Sequence, residues 1–100
     1  MKISDDSVFV INHVATCRIE NKDSYTMYNP NTDVITSITP LGKNIMDLFN
    51  GESTTGEVYT LISSVYQEFA LDEGKRLFLN FIKEVTDRGL LTEKLKKVNV

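Results

Sequence analysis

The sequence predicts an α+β domain in which a three-stranded antiparallel meander is followed by three helices. Apolar residues alternate with period two from Ala15 to Glu20 and again from Ser24 to Asn29, and the period changes to 3.6 directly after Pro40. At the seam stands Val34-Ile35-Thr36-Ser37-Ile38-Thr39, a β-branched run with none of the Lys, Glu, Pro or bulge that usually protects an edge strand. Such a strand is either covered or meant to be paired. Lying between the strands and the helices, it is placed to clamp a peptide between sheet and helix, which makes the chain a binding module.

Each element has its own signature. Val8-Phe9-Val10-Ile11 is an apolar run open to three readings: a strand, an edge addition or a packed arm. In the first strand Ala15, Cys17 and Ile19 point one way and Thr16, Arg18 and Glu20 the other, so Cys17 is expected to behave as a small buried apolar residue. Asn21-Lys22-Asp23 is turn chemistry, and in the second strand Tyr25 and Met27 alternate with Thr26 and Tyr28. Asn29-Pro30-Asn31-Thr32-Asp33 makes a longer turn, with Pro presetting φ and the Asn and Asp side chains bonding to nearby backbone. Val34 to Thr39 is then the third strand.

Thr39 caps the first helix with Pro40 at its first position, where a missing N–H removes no bond. Leu41, Ile45, Leu48 and Phe49 share one stripe with Met46 at its margin, and Asn50-Gly51 is expected to close the helix in a left-handed cap. Thr54-Thr55-Gly56-Glu57 has the spacing of a capping box and opens a second helix expected to reach Phe69 through Val58, Leu61, Ile62, Val65 and Tyr66. Asp72 is expected to cap the third and longest helix, and Gly89 with Leu90-Leu91 to end it. There Leu77, Phe78, Phe81, Ile82 and Val85 form a broad core stripe, while Leu79 lies outside it among Lys75, Arg76, Lys83 and Thr86. The expected core includes Ile19, Ile38, Ile45, Leu48, Leu61, Phe78, Phe81 and Val85.

At 100 residues the chain is expected to be a single domain, residues 1–13 an N-terminal arm and 93–100 a charged, frayed tail. A formal net charge of -3 gives no long-range attraction to phosphate backbones or anionic lipid. Val8 to Ile11 is too short for a signal peptide's apolar region, and no run approaches the ~20 apolar residues of a membrane span, so a cytoplasmic protein is expected, with no nucleic acid and no membrane among its partners. Cys17 is the only cysteine and His13 the only histidine, which precludes an internal disulfide and falls short of a zinc ligand set. No nucleophile and base share a recognisable spacing, and Gly42, Gly51 and Gly56 form no nucleotide fingerprint. The expectation is a protein without catalytic residues, metal or cofactor.

The order and spelling of these elements are similar to the PqqD-like family of peptide-recognition domains. The resemblance runs from about Arg18 to Leu91 and rests on Tyr28-Asn29-Pro30-Asn31-Thr32-Asp33-Val34, Ile38-Thr39-Pro40-Leu41-Gly42, Ile45-Met46-Asp47-Leu48-Phe49-Asn50-Gly51 and Arg88-Gly89-Leu90-Leu91. Where the family usually has Leu-Asn before the first helix and then Thr-Ala, this chain reads Ile38-Thr39 and then Leu41-Gly42. The resemblance implies a winged helix-turn-helix with a three-stranded sheet and three helices. It also implies a non-catalytic peptide chaperone that binds the leader segment of a ribosomally made precursor peptide and presents it to a modifying enzyme: a radical-SAM maturase, a cyclase or a leader peptidase.

On that reading the leader adds as a strand beside Val34, Ile35, Thr36, Ser37 and Ile38 and lies along the third helix, with Leu79 and Thr86 flooring a groove and Arg76 and Lys83 pairing with leader carboxylates. Two other readings share the architecture. A winged-helix DNA-binding regulator would need Lys and Arg concentrated on one helix, whereas Lys75, Arg76, Lys83 and Arg88 are balanced by Asp72, Glu73, Glu84 and Asp87. A homodimer would pair the exposed strand with its own copy.

Overall fold

The structure, a computed structural model, describes residues 3–94. It is α+β, with two three-stranded antiparallel sheets and four helices. In chain order the elements are β1 (Val8–Ile11), β2 (Thr16–Asn21), β3 (Ser24–Asn29), β4 (Val34–Ile38), α1 (Pro40–Asp47), β5 (Asn50–Thr54), α2 (Thr55–Val65), α3 (Gln67–Ala70), α4 (Gly74–Asp87) and β6 (Leu91–Lys94).

The meander is present as read from the alternation, with order β2-β3-β4 and register Tyr25↔Ile38, Met27↔Thr36 and Asn29↔Val34 between its last two strands. A second sheet departs from the expected order of strands first and helices after. Its order is β5-β1-β6, so the undecided run Val8–Ile11 is a central strand, pairing Phe9 with Glu93 and Ile11 with Leu91 on one side and Val8 with Thr54 on the other. Local periodicity was silent here because the paired residues are distant along the chain, the nearest pair being Val10 and Asn50. The expected tail from Glu93 begins inside β6, and its remainder, 95–100, lies outside the described residues, as do 1 and 2 of the arm.

Local chemistry explains most boundaries. Thr39 caps α1 by accepting from the Gly42 amide, and Thr54 and Glu57 form the full capping box of α2. Gly51 has φ 83 but turns the chain into β5 rather than capping α1, which Leu48 and Phe49 close by donating to Ile45 and Met46. The second helix stops at Val65 because Tyr66 is extended (φ -112, ψ 107), and a separate one-turn helix, α3, follows. Asp72 does not cap α4, which starts behind Glu73 without a side-chain cap bond. At its other end Gly89 (φ 75) donates to Thr86 and Leu90 to Val85, the paired bonds of a Schellman motif.

The core lies where α1, α2 and α4 meet both sheets: Phe9, Phe49 and Phe78 are fully buried with Ile45, Met46, Val58, Ile82, Val85, Leu90 and Leu91. Phe49 stacks on Phe78 at 6.3 Å between ring centroids and meets Phe9 edge-on at 5.7 Å. Ile38, Ile45, Phe78 and Val85 are core as expected, while Leu48 and Phe81 are half-buried. Ile19, 71% exposed, and Leu61, 54% exposed, are not core, and Cys17 is exposed rather than buried. The cause for Ile19 and Cys17 is that β2 overhangs the helical layer, so all six of its residues are exposed on either face.

Candidate functional site

β4 forms one margin of the meander. It pairs with β3 alone, so among the described residues its second row of N–H and C=O groups meets no strand. Thr36 and Ile38 are buried on the face toward the helices, Ile35 (67% exposed) and Ser37 face outward, and Val34 is half-buried. The strand thus has an inward face fixed by packing and an edge left for pairing.

α4 stands beside it and is joined to it through side chains. Arg88 Nη1 donates to Thr36 Oγ1 at 3.2 Å and Arg88 Nη2 pairs with Glu84 at 3.2 Å. At the Thr39 end, Gly42 lets the layers close up: a Cβ there would lie 3.1 Å from Ile38 Cγ2 and 3.1 Å from the Phe81 ring. Leu77, 54% exposed, and Phe81 wall an apolar recess of about 250 Å³ shared with Thr39, Leu41, Gly42, Ile45, Glu68 and Phe69. Leu77, Phe81, Glu84 and Arg88 recur at helical spacing and form one stripe of α4 and its C-cap, which reaches β4 through the Arg88 bond to Thr36.

Val34, Ile35, Thr36, Ser37 and Ile38 are brought together as expected, but the expected helix residues are not beside them. Leu79 lies one turn from Lys75, which reaches Asp5 at 3.1 Å and sits over the Tyr59 ring, so that side of α4 looks toward α2 and the N-terminal segment. Leu79 is half-buried and packs against the core, Thr86 is half-buried with its Oγ1 enclosed, and Arg76 and Lys83 are exposed. Arg76 is paired with Glu73 at 3.5 Å. About half a turn of helix therefore separates the Leu79 stripe from the stripe that flanks β4.

Sequence reasoning assigned Leu77 and Phe81 to the core stripe. The signal that they do more was the width of that stripe: only Phe78, Ile82 and Val85 of its members are fully buried, so one margin of it has to emerge beside another element. Arg88 was read only as part of a charge balance.

The outer face of the meander is polar. Arg18, Thr26, Tyr28, Asp33 and Ile35 line a shallow hollow of about 510 Å³ with Thr16. The Arg18 guanidinium bonds to Glu20 at 2.7 Å and holds its carboxyl below the usual range, and the bond from Tyr28 Oη to Asp33 raises the phenol's pKa. Among the described residues no three His, Cys, Asp or Glu side chains are grouped to hold a metal ion, and no helix is long and apolar enough to cross a membrane. No family model, curated protein or solved structure matches this chain.

Proposed function

We propose that this chain is a non-catalytic carrier that binds the leader segment of a ribosomally made precursor peptide as an added strand on β4 and presents it to a modifying enzyme. The observation that carries this reading is an open, unprotected strand edge on β4 whose chain continues at Thr39 into an apolar recess walled by Leu77 and Phe81. Backbone pairing along β4 would supply affinity for any extended segment. Alternate side chains of the added strand would turn toward α4, where the recess selects an apolar residue. β2, the other margin of the meander, has no such wall, being exposed on both faces.

Within this reading the meander with α1, the α2–α3 stretch and α4 is a winged helix-turn-helix to which β1, β5 and β6 add a second sheet. Chemistry belongs to the enzyme that receives the leader, a radical-SAM maturase, cyclase or leader peptidase, and the carrier works in the cytoplasm, where precursors are made. A DNA-binding role has less support, because three of the four cations on α4 and its C-cap already face carboxylates: Lys75 with Asp5, Arg76 with Glu73 and Arg88 with Glu84.

Calorimetry against the leader segments of short precursor peptides encoded beside the gene tests the proposal. Removing the wall with Leu77→Ser and Phe81→Ala together should weaken binding by about tenfold to a hundredfold, the equivalent of one apolar side chain's burial. Lys83→Glu, on the side away from β4, should leave affinity within about twofold. Wild-type affinity in a Leu77→Ser, Phe81→Ala chain that remains folded by circular dichroism would remove this site from consideration.

A further inference from the structure

β2 is the other margin of the meander, and among the described residues its outer row of N–H and C=O groups meets no strand. It overhangs the helical layer, which leaves Ile19 71% exposed on one face and Arg18 and Glu20 exposed on the other. Its pairing with β3 is regular from Thr16 to Ile19 and shifts only between Ile19 and Asn21. Glu20 nevertheless shares a face with Arg18, whose guanidinium donates to Glu20 Oε1 through Nε at 2.9 Å and Nη2 at 2.7 Å.

Charged side chains guard a strand edge by facing their like on an incoming strand, so the order of charges decides which strand is admitted. When a strand pairs antiparallel with its own copy about a two-fold axis, one residue faces itself and residues equally far to either side of it face each other. Centred on Arg18, β2 would set two guanidinium groups opposite one another; centred on Glu20, it would oppose two carboxylates and set Arg18 against Lys22. Centred on Cys17, it would leave Arg18 opposite Thr16 and Ile19 opposite Ala15. Centred on Ile19, Arg18 of each copy faces Glu20 of the other, Ile19 faces Ile19 and Cys17 faces Asn21. That register suits both faces, with four charges alternating in sign on one and two exposed apolar side chains meeting on the other. The bond within the chain uses up neither charge. The Arg18 side chain is 77% exposed, its Nη1 makes no bond among the described residues, and a carboxylate has about four acceptor positions.

We propose that β2 is a self-association edge: two copies pair antiparallel through β2 with Ile19 on the two-fold axis, joining their meanders into one continuous sheet. The occupant is a second copy because β2 is complementary in charge to its own reverse, a match that an unrelated strand does not bring. The β4 edges lie at the outer margins of the joined sheet and stay open, so the dimer neither uses the leader site nor rests on the leader reading. A six-residue strand pair is small beside the ~1,200–2,000 Å² of tight complexes, so self-association at roughly 0.1 mM is expected.

The test is sedimentation of the full chain from about 10 μM to about 1 mM, with amide shifts of the isotopically labelled chain followed over the same dilution. Wild type should pass from monomer to dimer, with concentration-dependent shifts centred on Thr16 to Asn21 and absent from β4. Ile19→Asp should abolish the dimer by setting two carboxylates on the axis, and it should stay folded by circular dichroism because Ile19 is exposed. Arg18→Glu and Glu20→Arg should each be monomeric, since each sets like charges opposite one another in the Ile19 register. An equimolar mixture of those two chains should associate within about threefold of wild type, because positions 18 and 20 are then opposite in sign across the interface. Within each chain they remain alike, so rescue reports the pairing between copies and not the bond inside one. A wild type that remains monomeric at the highest concentration would overturn the proposal, and so would shifts centred on β4 or on the helices. Equal rescue of Arg18→Glu by Glu52→Arg, the same change of charge on the other sheet, would overturn it by reducing the effect to net charge. The wild-type dilution shifts keep the test decisive even if a variant unfolds.

Discussion

Phe78 is fully buried between Phe49 and the Tyr59 ring, whose centroid lies 5.3 Å away, whereas Phe81 on the next turn side is half-buried against the β4 recess. Phe78→Ala should therefore destabilise the chain by ~3–5 kcal/mol, and Phe81→Ala by distinctly less, in urea denaturation. The two residues look alike on a helical wheel; only the neighbours decide which holds the core and which faces the recess. Glu57 carries a pH dependence of defined sign. Its folded-state carboxyl is lowered chiefly by the Thr54 backbone bond, so its contribution is present above the ordinary carboxylate range and lost as pH falls through the lowered folded value. The stability difference between wild type and Glu57→Ala, followed by thermal melts across pH, should be largest near neutrality and close in acid.

Among the elements, α4 has the sharpest constraint at its first residue. A Cβ on Gly74 would stand 2.1 Å from the Phe69 carbonyl oxygen, a backbone atom that cannot swing aside. Gly→Ala inside a helix normally stabilises by ~0.5–1 kcal/mol, but here the sign should invert, and Gly74→Ala should lower the melting temperature and displace α3 from α4. Because Phe69 also lines the recess beside β4, that displacement should weaken leader binding along with stability. The strand edge itself depends on register: β4 buries Thr36 and Ile38 and so cannot slip by one residue without exposing both.

At the scale of the molecule, charge separates the functional readings. With a net charge of -3 and most α4 cations engaged by carboxylates, the chain has few counterions to displace from a duplex. No binding to duplex DNA should survive ~150 mM salt in a fluorescence anisotropy titration, and a footprint on the chain's own promoter at that salt would restore the regulator reading.

What local chemistry dictates is legible in the sequence. The meander follows from alternation, the caps at Thr39 and Thr54 from hydroxyls one turn ahead of unbonded amides, the Gly89 stop from a residue type free to adopt positive φ, and the open edge from a β-branched run without a gatekeeper. The tertiary structure decided what depends on distant partners. Val8–Ile11 became a central strand only because β5 and β6 come back to it, and β2 stayed exposed only because no helix reaches over it. The helix face of the site was decided in the same way. Periodicity tells which residues share a side of α4, but not which side meets β4, because that depends on how the helix is rolled against the core. Phe78, Ile82 and Val85 set that roll by burying themselves, turning Leu77 and Phe81 toward the recess at Thr39, Arg88 toward Thr36 of β4, and the Lys75–Leu79 side toward α2 and the N-terminal segment.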